Sequence, residues 1–176
     1  VTSDFGAKEI LNSYSEVEIA RVLYDYGDIK QSRKIAKLIV KQRIIKEIHT
    51  TKDLIKILEG MYPKKIENKF LSRIFQALRI EVNDEVNALK DLLTDVVDIL
   101  KTKGRLVVIS YHSIEDKLIK NLINKGNIEG DIKTDFYGNK FSVFSSVNKK
   151  IIVPNKKECN DNSRARSAKL RIAEKI

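Results

Sequence analysis

Arg105-Leu106-Val107-Val108-Ile109-Ser110-Tyr111-His112-Ser113-Ile114-Glu115-Asp116 decides the fold. Four aliphatic residues in a row, three of them β-branched, predict a strand covered on both faces. Polar side chains follow at once, and a helical pattern then runs over 114–124. Upstream, Ile74, Leu78, Val82, Val86, Leu89, Leu93, Val96 and Leu100 recur at three- and four-residue steps. That spacing predicts one long helix over 70–100. Lys101-Thr102-Lys103-Gly104 ends it with the basic residues and glycine that a helix C-terminus favours. Helix, glycine turn, buried strand, polar strand end and helix make an α/β pattern.

Working outward, segments 141–147, 150–153 and 168–173 predict strands that extend the sheet on its late edge. Residues 1–66 show no strand pattern and read as three short amphipathic helices. Ser13-Tyr14-Ser15-Glu16 has capping-box spacing, followed by Ile19, Leu23 and Tyr26 and then Gly27 as a stop. Ser32 suits the start of the next helix, and Thr50-Thr51-Lys52-Asp53 the start of the third. Residues 64–69 are polar and read as the exit from this helical unit. The division expected is therefore 1–69 and 70–176.

The 176 residues are 42% hydrophobic, enough for a core and too many for wholesale disorder. No run approaches the ~20 apolar residues of a membrane helix, and the N-terminal stretch lacks a secretory pattern. One cysteine, Cys159, and two histidines exclude a Cys/His zinc cluster and favour a reducing, cytoplasmic setting. Net charge is +10, unevenly spread. Residues 1–75 carry 15 basic and 10 acidic side chains, 76–139 carry 9 and 11, and 140–176 carry 10 and 3. Two basic ends around a near-neutral centre suit a polyanion, although a Lys-rich compositional bias produces the same excess.

In open α/β sheets, ligands sit at the carboxyl ends of strands. Here that end gathers Ser110, His112, Ser113, Glu115 and Asp116, an acid–base and orienting set. Helix capping by Ser113, with Glu115 and Asp116 at the positive helix end, accounts for those three residues but not for His112. A hydrolase triad is disfavoured, because there is no Gly-x-Ser-x-Gly elbow. Gln76, Arg79 and Asn83 share one helical stripe suited to a base or a phosphate; the alternative is a solvated face with Arg79 paired to Asn83 or Glu85. Asn162-Ser163-Arg164-Ala165-Arg166-Ser167-Ala168-Lys169-Leu170-Arg171 is basic without acids, a phosphate-contact pattern. Phe136, Tyr137, Phe141 and Phe144 are either stacking platforms or core.

Together these segments resemble one family, the bacterial 16S rRNA (cytosine-N4)-methyltransferases known as RsmH or MraW. The resemblance is carried by Tyr26-Gly27, Ser32-Arg33-Lys34-Ile35-Ala36, Phe75-Gln76-Ala77-Leu78-Arg79-Ile80-Glu81-Val82-Asn83-Asp84-Glu85, 104–116 and 162–171, in family order over nearly the whole chain. Thr102-Lys103 stands where the family has Pro-Gly, and Tyr111, Ile114, Lys117 and Ser163 replace Phe, Leu, Arg and Pro. The resemblance implies the later half of a class I (Rossmann-like) methyltransferase domain over 70–176 and a small all-α substrate-recognition insert over 1–69. It implies S-adenosylmethionine as cofactor, with its main site in an N-terminal half that this chain lacks. It also implies methylation of a cytidine N4 in the decoding region, with 16S rRNA or the small subunit as partner.

In that reading Ser110, His112 and Ser113 line the acceptor pocket and Glu115 and Asp116 order it. Gln76, Arg79 and Asn83 hold the nucleotide, and Lys34, Lys37, Lys41, Arg164, Arg166 and Arg171 hold phosphates. No cofactor-binding or metal-binding residue is expected in this chain. The chain alone is expected to be inactive, with an uncovered edge and apolar faces on strand 105–110. Two alternatives stay open: a non-catalytic RNA-binding module, and one half of a split enzyme completed by an N-terminal partner polypeptide.

Overall fold

A computed structural model describes residues 5–132, 136, 142–148 and 150–176. It divides into two compact units, Val1–Glu85 and Val86–Ile176. The division falls after residue 85 rather than at 69/70, because Ile74, Ala77 and Leu78 pack into the core of the first unit.

The first unit is helical: α1 (Ala7–Ser13), α2 (Glu16–Asp25), α3 (Ser32–Ile45), α4 (Thr51–Leu58), a 3-10 turn (Lys64–Ile66) and α5 (Glu67–Val82). α1 precedes the three helices expected from the sequence pattern. Because α1 runs to Ser13, the capping box moves two residues on: Ser15 accepts from Glu18 N–H at 3.3 Å, and Glu18 accepts from Ser15 N–H at 2.7 Å. Thr50 and Asp53 form the expected reciprocal cap of α4. Ile10, Leu23, Ile35, Ile39, Leu54, Leu58, Ile74 and Leu78 share one core. Residues of α5 are thus part of the helical core, which is why the unit extends past residue 69. Gly27 is explained by close approach. A Cβ there would lie 2.8 Å from the Leu23 carbonyl and 3.1 Å from that of Arg73.

The single long helix expected over 70–100 is two helices, α5 and α6 (Glu85–Ile99). Asn83 caps the first, and Asp84 adopts φ +51, the left-handed region that Asp and Asn tolerate better than most residues. Apolar periodicity survives the break, so it could not reveal it.

The second unit holds α6, β1 (Arg105–Ser110), α7 (Ser113–Lys125), β2 (Phe144–Ser146), α8 (Lys156–Asp161), a 3-10 segment (Ser163–Ser167) and β3 (Lys169–Lys175). The sheet order is β1-β3-β2, with β3 antiparallel to both neighbours. Arg105 lies opposite Glu174, and Ser110 opposite Lys169. Leu93, Ile119, Leu122, Ile123, Phe144 and Ala173 form its core. Lys175 Nζ donates to the Leu100 carbonyl at 2.7 Å and so closes the end of α6.

Strand 105–110 is found where expected, but it is covered on one face only. Leu106 and Val108 pack on the core, whereas Val107 and Ile109 are 57% and 55% exposed. Among the described residues β1 is also an edge strand. The strand expected over 150–153 reduces to one bridge, Ile152 to Leu170; Pro154, lacking an N–H, does not extend a ladder. The strand expected over 168–173 runs Lys169–Lys175. Phe144 is core, Phe136 is exposed, and Tyr137 and Phe141 lie outside the described residues. No described helix is long and apolar enough to cross a membrane.

Candidate functional site

The end of β1 and the start of α7 bring the sequence-predicted cluster together. Ser110 is the last residue of β1 and 1% exposed, and its Oγ has no hydrogen-bond partner among the described residues. His112, not Ser113, is the N-cap of α7; Ser113 is the first helical residue and is exposed. His112 Nε2 lies 2.9 Å from Glu115 Oε1, an ion-pair distance off the hydrogen-bond direction, and Nδ1 has no partner among the described residues. Buried polar atoms left unpaired cost about 1–3 kcal/mol each. Two residues, Ser110 and His112, with orphaned atoms at the carboxyl end of one strand therefore point to a polar ligand.

The two carboxylates have different tasks. Glu115 Oε2 accepts from the backbone N–H of Tyr111 at 2.9 Å and of His112 at 3.4 Å. Burial works to raise its carboxyl, but the His112 side chain and these two backbone donors outweigh it and hold it low. Asp116 is buried, with Arg171 Nε at 2.8 Å on one oxygen and Lys169 Nζ at 3.1 Å on the other. Burial again raises, and Arg171 and Lys169 together reverse it, so Asp116 stays below the usual carboxylate value. Glu115 thus fixes the turn that carries His112, whereas Asp116 ties α7 to β3. Asp116 is not a free acid or base.

This changes the assignment of Arg171. Its Nε is spent on Asp116, so it neutralises a buried carboxylate rather than standing free for a phosphate. Lys169, not singled out by the sequence reading, shares that work. Their basic character was legible; their partner, more than fifty residues away, was not. Arg164 and Arg166 lie exposed on the 3-10 segment.

In the helical unit, Lys34, Lys37 and Lys41 are all exposed on one stripe of α3. The predicted trio on α5 is partly occupied. Arg79 grips Glu85 through Nε at 2.8 Å and an Nη at 3.0 Å, and Asn83 donates to the same carboxylate at 3.0 Å. Gln76 donates to the Tyr26 carbonyl at 3.3 Å. The solvated pairing of Arg79 with Glu85 is therefore what the structure holds. Glu85 reaches Arg79 because the helix breaks at Asp84. An apolar cavity of about 310 Å3 opens beside Arg79 and Asn83, lined by Leu11, Ile48, Leu54, Phe75 and Leu78.

The described residues thus form a mixed helix–strand chain with a small antiparallel sheet and unpaired polar atoms at the carboxyl end of β1. The chain belongs to the MraW methylase family, which matches residues 1–176. It is 50% identical over 170 residues to the ribosomal RNA small subunit methyltransferase H of Parabacteroides distasonis, covering 97% of this chain and 56% of that protein. The protein of that name from Karelsulcia muelleri is 53% identical over 170 residues, with the same coverage. That from Flavobacterium johnsoniae is 47% identical over 174 residues, covering 99% and 57%. The chain thus spans little more than half the length of these relatives.

Proposed function

We propose that this chain is part of an S-adenosylmethionine-dependent methyltransferase acting on N4 of a cytidine in the decoding region of 16S rRNA. The sheet unit serves as the later half of a class I, Rossmann-like methyltransferase domain, and the helices over 1–69 as the substrate-recognition insert. The carrying observation is the orphaned Ser110–His112 pair in a chain of the methylase family.

The bound cofactor supplies a sulfonium methyl group for in-line displacement. The residues of this chain fit the acceptor side of that reaction, and none is assigned to hold the cofactor. A cytidine N4 is a weak nucleophile because its lone pair is delocalised into the ring. Ser110 Oγ and His112 Nδ1, neither with a partner among the described residues, accept its N–H groups and orient the nitrogen. Glu115 holds the turn that carries His112, and Asp116 keeps α7 against β3. Arg164, Arg166, Lys34, Lys37 and Lys41 supply phosphate contacts.

The test is methyl transfer to small-subunit RNA by a full-length family protein carrying this segment. His112→Ala lowers turnover by about 10²-fold, as loss of an orienting contact does, while RNA affinity is kept. Unchanged turnover overturns the assignment. A second reading, one half of a split enzyme, is favoured by the edge of β1 and its exposed Val107 and Ile109. There a separate polypeptide would add its strands to that edge.

A further inference from the structure

The helical unit carries a second feature that the strand-end chemistry does not use. A groove of about 800 Å3 runs along α2 and the loop and first turn that lead into α3. α2 turns Ile19, Val22 and Leu23 into the core and leaves Val17 and Tyr24, one two-turn step apart, facing outward. Tyr24 is 61% exposed, an unusual position for a large aromatic ring on a helix that has an apolar face to bury it in.

Lys30, Arg33 and Lys34 line the same groove, all exposed. Among the described residues none of the three has a carboxylate within ion-pair distance. Arg21 also borders the groove, but its guanidinium is held by Glu81 at 2.8 Å and lies 5.8 Å from the Tyr26 ring. Glu16 is the one acid in the lining. Lys37 and Lys41 continue the positive line up α3, and Lys34 to Lys41 rises about 10 Å along the axis.

A flat ring beside unpaired cations is the arrangement that recognises single-stranded nucleic acid. Bases freed from a duplex stack on aromatics while the cations follow the backbone. A double helix keeps its base faces stacked inside and offers nothing for the ring. We propose that this groove takes an unpaired stretch of RNA, one base stacked on Tyr24 and the flanking phosphates on Lys30, Arg33 and Lys34. The inference rests on the reading of the chain as part of an rRNA-modifying protein and adds to it which form of RNA the helical unit selects.

Fluorescence anisotropy of the whole chain with a labelled single-stranded RNA dodecamer and a duplex of equal length tests this. The wild type binds the single strand more tightly. Tyr24→Ala weakens that binding about 5- to 150-fold, the range that one base–aromatic stack supplies, and leaves duplex binding unchanged. Tyr24→Phe, which keeps the ring, behaves as wild type. Circular dichroism melting of Tyr24→Ala matches wild type, since the side chain contributes little to the core. Equal single-strand affinity for Tyr24→Ala and wild type, with salt-sensitive binding intact, overturns the groove and leaves the reading of the strand-end site standing. Absence of any salt-sensitive RNA binding by the wild type overturns the RNA reading and the groove together.

Discussion

The two units bury their apolar residues to different degrees. The helical unit encloses its core, from Ile10 to Leu78, and closes its helix ends from within. Arg43 donates to the Leu11 and Tyr14 carbonyls at 3.0 and 2.6 Å, and the Asn12 amide exchanges two hydrogen bonds with the Ile48 backbone at 2.8 and 3.0 Å. The sheet unit encloses a smaller core and leaves Val107 and Ile109 of β1 in solvent, with Ser110 Oγ and His112 Nδ1 lacking a partner among the described residues at the end of that strand. The difference follows from the elements. A helix satisfies its backbone within one segment, whereas a strand needs neighbours on both edges and cover on both faces. In the sheet unit, unpaired polar atoms and an open apolar face therefore lie on the same strand.

That comparison can be broken by mutation. Leu58→Ala, in the enclosed helical core, is expected to cost about 2–5 kcal/mol in denaturant unfolding. A cost near zero would show that the helical core is loose. Asp116→Asn leaves Lys169 and Arg171 without their carboxylate and is expected to cost about 1.5–3 kcal/mol, the value of hydrogen bonds to charged groups. The pH dependence has a definite sign. Asp116 is held below its ordinary value in the folded state, so its contribution is complete above the unfolded carboxylate value, about pH 4, and is lost as pH falls through the folded one. Wild type and Asp116→Asn should thus converge in strongly acidic buffer; a gap that persists there contradicts the ion-pair account. Val107→Ser, on the open face, is expected to change stability by no more than about 0.5 kcal/mol and to reduce self-association in sedimentation. A large loss of stability would mean that this face is covered after all.

Much of the sheet unit's layout was legible. The run Leu106–Ile109 marks β1, because four aliphatic residues ahead of a polar turn have few other uses. The basic run over 162–171 and the lysines of α3 were legible from charge alone. The short helix Ala7–Ser13 was not, since seven residues hold too few turns to show a period. Nor was the break at Asp84, because apolar spacing continues across it and φ +51 leaves no mark in residue type beyond Asn and Asp. The open face of β1 escaped because an apolar run reads the same whether or not something covers it.

The amino-acid pattern alone carried the helical character of the first unit, the strand at 105–110 with the helix after it, the basic runs, the family and the cluster at 110–116. These are properties of local pattern, carried by neighbouring residues. Only the tertiary structure decided how the charged residues are used. It set Asp116 between Lys169 and Arg171, turned Arg79 onto Glu85, and left Ser110 Oγ and His112 Nδ1 without a partner among the described residues and Tyr24 in solvent. Whether a polar group is satisfied depends on what folding brings within about 3 Å of it, and residues more than fifty positions apart record nothing of that distance in their types.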